Sequence, residues 1–313
     1  DRRAPPARRR ERPHREPGAE TRRGAARRLR RRLLGRRTLT AGLRSRHTRT
    51  LHGGRVVPYL GPGVLGLIPD VPVPAAPEAL VALLVAKATV PHKIRNRLTQ
   101  AAQFIENFKH RKSVVSLMND AFARVPNPSA LHNWIAQMAP PLVVESWYDD
   151  TLIQAFANVR PQGDWGQVQG LSQSEHFGTW TAFYDAQGQL AESCSPNWKS
   201  LVYRPIGGHA PAGNYLVSDS DYVEVLTEID IQTPIPAEVQ ALRKGRSFLF
   251  MGCRFNDQLT RTFARQIMKR SSDRHFAVLP DEPTRMEARF LEENNVVRIN
   301  RSLAEVAALL TPA

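Results

Sequence analysis

From residue 56 onward, short and almost wholly apolar segments recur along the chain, and most are followed by a helical pattern. Residues 247–251 read SFLFM, a continuous apolar run that is typical of a strand covered on both faces. Similar strands are predicted at 56–60, 142–146, 199–203, 276–279 and 296–300, and a hairpin at 179–193. Strands that alternate with helices favour an α/β fold with a mainly parallel sheet.

Helices dominate the stretch between the first two predicted strands. Amphipathic spacing predicts helices at 77–87, 91–110, 112–123 and 130–138, the last one capped by Ser129. We therefore expect one α/β domain over residues 55–313, with a small helical module at about 88–140.

Positive charge is concentrated at the start of the chain. The whole sequence has 44 Lys and Arg against 29 Asp and Glu, a formal net charge of +15. Residues 1–55 alone hold 20 Arg and four acids, a net +16, so the remaining 258 residues carry −1. This head has no Phe, Tyr or Trp, and a segment so poor in apolar residues is predicted to be disordered, at residues 1–54.

Three interpretations of the arginine-rich head stay open. Clustered guanidinium groups suit an arm that binds nucleic-acid phosphates. The acid-free stretch 21–50, with several Ser and Thr, is also similar to an organellar presequence. Arg, Pro, Ala and Gly are equally what GC-rich DNA encodes upstream of a true start site, and on this hypothesis the start is mis-assigned.

Composition excludes several classes of protein. No run of 18 apolar residues occurs, so no membrane-spanning helix and no membrane partner are expected. The chain has two cysteines, which rules out a four-cysteine zinc site and argues against a disulfide framework. We expect no metal and a cytoplasmic location.

A glycine turn follows the first predicted strand directly. Residues 61–64 read GPGV, and a strand that ends in such a turn and leads to a helix is the entrance of a nucleotide-binding unit. Glycine lets backbone N–H groups approach a diphosphate without interference from a Cβ. Pro62 removes one of these donors, which counts against tight phosphate binding.

Four segments, in order, resemble the sirtuin-like family, in its compact bacterial branch without a zinc ribbon. They read VPYLGPGV followed by IPD (57–70), LVVESWYDD (142–150), VYRPIG (202–207) and FLFMGCRFND (248–257). The resemblance implies a Rossmann-like domain that binds NAD or an ADP-ribose-like nucleotide at the carboxyl ends of its strands. The cofactor-binding candidates that it implies are Gly61, Gly63, Val64, Asp70, Asp149, Gly252 and Arg254.

The chain departs from the family where the chemistry takes place. The family uses an Asn after the second strand and a His as general base, and this sequence has Trp147 and Ile206 at those positions. Neither side chain accepts a proton. His209 is a candidate replacement base or, alternatively, a solvated loop residue.

Other departures also leave alternatives open. The Trp147 ring would stack on a flat ligand or fill the nicotinamide pocket. Asp149 would contact the cofactor or cap a helix, and Arg254 would bind a phosphate or an acid such as Asp257.

Three functional hypotheses follow. The leading one is a sirtuin-like protein that binds NAD or a related nucleotide with weak or no catalysis, as a sensor or scaffold with an unknown protein partner. The second is an NAD hydrolase of bacterial defence type, or an NAD-dependent deacylase, with His209 as base. The third is nucleic-acid binding, which requires the head to be real. A homo-oligomer is compatible with each.

Overall fold

The computed structural model describes residues 54–228 and 234–311. The hypotheses on residues 1–53 therefore concern a part of the chain that lies outside the described residues. Within the described ranges, no helix is both long and apolar enough to cross a membrane.

A nine-stranded sheet forms the centre of the fold. Its order is β11-β10-β9-β1-β2-β6-β3-β4-β5, and all neighbours from β11 to β3 run parallel, whereas β4 and β5 are antiparallel additions at one edge. The prediction of an α/β fold with a mainly parallel sheet is confirmed. The nine strands are β1 (Val56–Leu60), β2 (Leu142–Glu145), β3 (Trp165–Gly170), β4 (Thr181–Asp185), β5 (Leu190–Ala191), β6 (Ser200–Arg204), β9 (Ser247–Met251), β10 (His275–Val278) and β11 (Val296–Ile299). A separate two-stranded ribbon consists of β7 (Gly207–Gly208) and β8 (Asn214–Tyr215).

Helices cover both faces of the sheet, as continuous apolar strands require. Val57, Tyr59 and Phe248 point into one apolar core, whereas Val56, Leu60 and Leu249 belong to the core on the opposite face. Residues of α4, α5 and α10 line the second core, and residues of the other helices line the first. The helices are α1 (Pro77–Lys87), α2 (Leu98–Lys109), α3 (Arg111–Phe122), α4 (Ala130–Met138), α5 (Thr151–Val159), α6 (Asp219–Glu228), α7 (Ala237–Arg243), α8 (Gln258–Met268), α9 (Arg285–Glu293) and α10 (Leu303–Leu310).

The strand order reverses at β1. From β1 the chain continues to β2 on one side, and it later returns to place β9 on the other side. In open α/β sheets this switch point leaves a crevice at the carboxyl ends of the strands, where ligands bind. The segments that follow β1, β2, β6 and β9 therefore define the candidate site.

Strand β3, helix α7 and the two-residue strand β7 were not predicted. Helix α2 begins at Leu98 rather than at residue 91, because residues 91–97 form hydrogen-bonded turns instead. Strand β3 reads WGQVQG and is wholly buried. Its two glutamines and two glycines interrupt the apolar pattern that would have predicted a buried strand. Gln169 compensates for its burial by donating from Nε2 to Gln167 Oε1 at 2.8 Å and to the Ala210 carbonyl at 2.7 Å.

Candidate functional site

The glycine turn after β1 packs directly against the turn after β9. A Cβ on Gly61 would lie 2.7 Å from the Gly252 carbonyl oxygen, and one on Gly63 would lie 2.9 Å from the same atom. Gly252 has φ +67°, and a Cβ there would lie 2.4 Å from the Val64 nitrogen. All three glycines are thus required by the contact between the two turns, independently of any ligand.

Backbone hydrogen bonds already use the N–H groups of this turn. Gly61 donates to the Met251 carbonyl and Gly63 to the Gly252 carbonyl, both at 2.9 Å, and Val64 donates to the Gly61 carbonyl at 3.2 Å. Pro62 has no N–H to offer. In this arrangement, residues 61–64 do not fit a diphosphate, because no donor of theirs is free to bind one.

Trp147 is enclosed in the apolar core. Its side chain is buried at 5% exposure, its Nε1 donates to the Pro74 carbonyl at 2.8 Å, and its ring meets the Phe122 ring edge-on at 6.0 Å. The indole therefore has its single donor satisfied inside the protein. The ring packs among aromatic side chains of the core.

Ile206 and Asp149 are also enclosed. Ile206 is buried in the same apolar core as Trp147. Asp149 lies at the start of α5, where Oδ1 accepts hydrogen bonds from the backbone N–H and the hydroxyl of Thr151. Burial raises the pKa of the Asp149 carboxyl, and the bonds from Thr151 oppose this rise. Asp149 thus binds the first residue of α5 from the position before the N-cap residue, Asp150.

His209 is paired with a carboxylate that the sequence did not single out. Its Nδ1 lies 3.0 Å from Asp150 Oδ2, and its backbone N–H donates to the Tyr148 carbonyl at 2.9 Å. The side chain keeps 26% of its surface exposed, and no described residue hydrogen-bonds its Nε2. When Nδ1 carries the proton toward Asp150, Nε2 is an unprotonated acceptor that faces outward.

Arg204 lies beneath this pair and is completely buried. Its guanidinium donates to Asp150 Oδ1 at 2.9 Å and to the carbonyls of Tyr148, Asp149 and Ala210. A Cβ on Gly208 would fall 2.2 Å from Arg204 Cζ, so the glycine ribbon can lie flat over the guanidinium. Arg204 therefore fixes both the loop that carries Asp150 and the loop that carries His209.

The two carboxyl groups that contact Arg204, those of Asp150 and Glu145, have pKa values shifted in opposite directions. Burial alone disfavours the charge on Asp150, but Arg204, His209 and the Ala210 N–H outweigh it and lower the pKa of Asp150. Burial raises the pKa of Glu145 well above its usual value, and Arg204 at 3.3 Å offsets this only in part. At neutral pH the charge that holds His209 thus belongs to Asp150.

Arg254 follows the turn after β9 and binds acids of the chain. Its Nε and one terminal nitrogen donate to the two Glu287 oxygens at 3.0 and 3.1 Å, and the other terminal nitrogen reaches Asp281 at 3.2 Å. The acid partners are therefore Glu287 and Asp281 rather than Asp257, which caps α8. Three of its five N–H donors are thus engaged with acids of the chain.

Asp70 is exposed at the mouth of a pocket of about 350 Å³ on another side of the same turn. The walls come from residues 67–72 and 125–129 and include four prolines. Within the described part of the chain, no three His, Cys, Asp or Glu side chains are grouped to hold a metal ion.

The structure brings some candidates together and separates others. Gly61, Gly63, Val64 and Gly252 form one contact, whereas Asp70, Arg254 and His209 lie in three different environments. Sequence reasoning missed Asp150, Arg204 and Glu287 as partners. The acidic pair at 149–150 directly after a strand was the available signal for Asp150.

Comparison with known families gives one match. The sequence model of the SIR2-like domain matches residues 141–299, about half of the chain. No curated protein matches the sequence.

Proposed function

Because this chain belongs to the family of SIR2-like domains, which is sirtuin-like and generally uses NAD, we propose that it has kept the family frame without the NAD-cleaving reaction and works as a scaffold. A sensor role would require nucleotide binding, whereas a scaffold role requires only a stable surface.

The burial of Trp147 carries this proposal. Cleavage of the nicotinamide–ribose bond needs a polar group that orients the attacking oxygen and a base that takes its proton. The resemblance assigns these roles to the positions of Trp147 and Ile206, and both side chains are packed into the apolar core. Neither can accept a proton, and the one donor of the indole is bound to Pro74.

Nucleotide binding faces a second obstacle. NAD or ADP-ribose would have to displace the bonds from Gly61 to Met251 and from Gly63 to Gly252 before the turn offered free N–H groups. Two lost backbone hydrogen bonds weaken binding by about 1–3 kcal/mol, which is roughly fivefold to 150-fold. The proposal therefore favours a scaffold over a sensor.

Calorimetry on the full chain tests this proposal. NAD and ADP-ribose are titrated separately at 0.5 M NaCl, which suppresses binding of phosphates to the arginine-rich head. Inorganic pyrophosphate serves as the control for any charge binding that persists. We expect no saturable heat that is specific to either nucleotide, whereas micromolar binding that pyrophosphate does not reproduce would overturn the scaffold assignment.

A second candidate function rests on the pair of His209 and Asp150. A histidine held by a carboxylate at 3.0 Å, with its other nitrogen directed outward, has the geometry of a general base. This supports an NAD hydrolase or NAD-dependent deacylase that uses His209 in place of the family histidine.

Matched histidine variants decide between the two candidates. His209→Ala removes the paired imidazole, whereas His176→Ala removes an exposed loop histidine that makes only backbone hydrogen bonds. If the full chain releases nicotinamide from NAD, and only His209→Ala abolishes the release, the second candidate holds. Without release by any of the three proteins, the second candidate is excluded.

A further inference from the structure

Helix α1 has an apolar face that no described element covers. Leu80, Val81 and Leu84 pack into the core, while Ala79, Ala82, Leu83 and Ala86 are exposed. A helix that is apolar on all sides is normally buried on all sides. Among residues 54–228 and 234–311, the exposed face of α1 therefore has no partner.

A groove of about 690 Å³ runs along this helix. Its lining residues on α1 are spaced by one turn, at 78, 81, 82, 85 and 86, and Arg95 and Asn96 form the opposite wall. The 11 residues of α1 make the groove about 16 Å long. Ala82 and Ala86 lie one turn apart, and their small side chains permit a second helix to approach closely.

Glu78 is the one acid among the lining residues of the groove, and the charge around it is mainly positive. From residue 79 to residue 105 the sequence contains four cations and no acid. Lys87 is paired with Asp120 at 2.8 Å, but Lys93, Arg95 and Arg97 have no acidic partner among the described residues. All three are exposed, so the rim attracts anionic groups.

These features restrict the occupant. A second copy would bring two surfaces of net positive charge together, since Lys93, Arg95 and Arg97 outnumber Glu78, and this is unfavourable. Single-stranded nucleic acid stacks on aromatic side chains, and no aromatic residue lines the groove. An amphipathic helix with apolar residues on one face and acids beside them matches both the apolar floor and the positively charged rim of the groove.

We propose that the groove along α1 receives an acidic amphipathic helix of a partner protein. The inference rests on the scaffold role proposed above, since it names the partner class. Its test measures no nucleotide, so either proposal can fail while the other stands.

The probe is a fluorescein-labelled 18-residue peptide of Leu, Ala and Glu with leucines spaced i, i+3, i+4 and i+7. Anisotropy is measured with the full chain at 0.3 M NaCl. A scrambled peptide of the same composition gives the baseline, because the arginine-rich residues 1–55 attract any acidic peptide. We expect the patterned peptide to bind at least tenfold more tightly than the scrambled one.

Matched variants of α1 locate the binding. Ala82→Glu places a charge on the groove floor, and Ala79→Glu makes the same change on the same helix outside the groove lining. We expect Ala82→Glu to weaken binding at least tenfold and Ala79→Glu to change it less than twofold. Equal effects of the two variants would overturn the proposal.

Charge reversal tests the rim. Arg95→Glu is expected to weaken binding about fivefold, and more at 0.1 M than at 0.5 M NaCl, whereas Lys112→Glu on α3 leaves it unchanged. A peptide with Lys in place of Glu should not bind above the baseline. Tight binding of that peptide would contradict the assignment.

Two further measurements address the other occupants. Sedimentation of the protein alone shows whether copies associate, and Ala82→Glu shows whether the groove is responsible. Flotation with phosphatidylserine vesicles tests a lipid surface in the same way. Self-association or vesicle binding that Ala82→Glu abolishes would replace the proposed partner helix and overturn the inference.

Discussion

Trp147 is a large buried side chain just after the carboxyl end of β2. Its ring contacts Phe122 and Tyr148, and its Nε1 bonds to the Pro74 carbonyl. We expect Trp147→Ala to lower the free energy of unfolding by about 3–5 kcal/mol, because it leaves a cavity and an unpaired carbonyl. Urea denaturation of the full chain measures this change.

Phe177 provides the aromatic control for this substitution. Its side chain is 95% exposed, so Phe177→Ala should change the free energy of unfolding by less than about 0.5 kcal/mol. A Trp147→Ala protein as stable as Phe177→Ala would mean that the indole is not a core residue, and position 147 would again be open to ligand chemistry.

Glu287 has a pH signature that can be measured separately. Burial alone raises its pKa, but Arg254 and the N–H groups of Thr284 and Phe255 lower it to about 2, from 4.5. A depressed folded-state pKa stabilises the fold above about pH 4.5, and this contribution is lost as the pH falls toward 2. We expect Glu287→Gln to cost about 1–3 kcal/mol at pH 7, since the Arg254 head is partly exposed, and less at pH 3.

The control for Glu287 is another acid paired with an arginine. Glu282 bonds to Arg298 at 2.9 Å, but its side chain is 86% exposed. Such a surface pair contributes about 0–1 kcal/mol, so Glu282→Gln should alter stability little at either pH. A pH-independent difference between Glu287→Gln and the unmodified protein would contradict the assigned pKa.

At the residue scale, the sequence identified candidate site residues more readily than the residues with which they form hydrogen bonds. That neither Trp147 nor Ile206 accepts a proton follows directly from the identity of the two residues. The pairing of Arg254 with Glu287, 33 positions away, was not, because it depends on how α9 packs beside the turn after β9. His209 was identified, but Asp150 as its partner required the folded loops.

Among the elements, the contact between the turns after β1 and β9 depends on glycine. We expect Gly252→Ala to lower the free energy of unfolding by at least about 2 kcal/mol, since it combines φ +67° with a close contact to Val64. Gly66→Ala lies in the helical turn that follows β1 and meets open space, so it should be neutral or slightly stabilising. Thermal denaturation compares the two, and equal melting temperatures would contradict the packing.

Element prediction succeeded where apolar patterns were continuous. Strands β1, β9 and β10 have such patterns and lie within about one residue of their predicted bounds. Strand β3 was missed because an inner strand with Gln167 and Gln169 does not have the pattern of a buried one. Gln169 Nε2 donates to the Ala210 carbonyl, a tertiary bond that a local pattern does not contain, whereas Gln169 Oε1 has no hydrogen-bond partner among the described residues.

In the molecule as a whole, one arginine joins the helical layer to the loops at the strand ends. Arg111 of α3 donates to Asp221 at 2.9 Å and contacts Glu106 and Glu175. We expect Arg111→Met to cost about 2–4 kcal/mol in urea denaturation, because it leaves buried Asp221 without its cation. The neighbouring Lys112→Met is the control, and an equal effect of both would show that the network contributes nothing.

The strand order is the property of the whole molecule that the sequence did not predict. The succession of strands and helices indicated a parallel sheet, but the placement of β3 outside β6, and of β9 beside β1, comes from pairing across long sequence separations. The uneven distribution of charge along the chain, by contrast, follows directly from the sequence, since the net excess of +15 lies in residues 1–55. The scaffold proposal therefore rests on the near-neutral remainder of the chain.

Release of nicotinamide from NAD is the measurement that tests the central claim most directly. The full chain is incubated with NAD, and free nicotinamide is followed over time against NAD in buffer. With Trp147 and Ile206 enclosed in the core, we expect the two traces to coincide at every protein concentration. Release that rises in proportion to protein concentration would contradict the claim that this SIR2-like domain has lost the reaction.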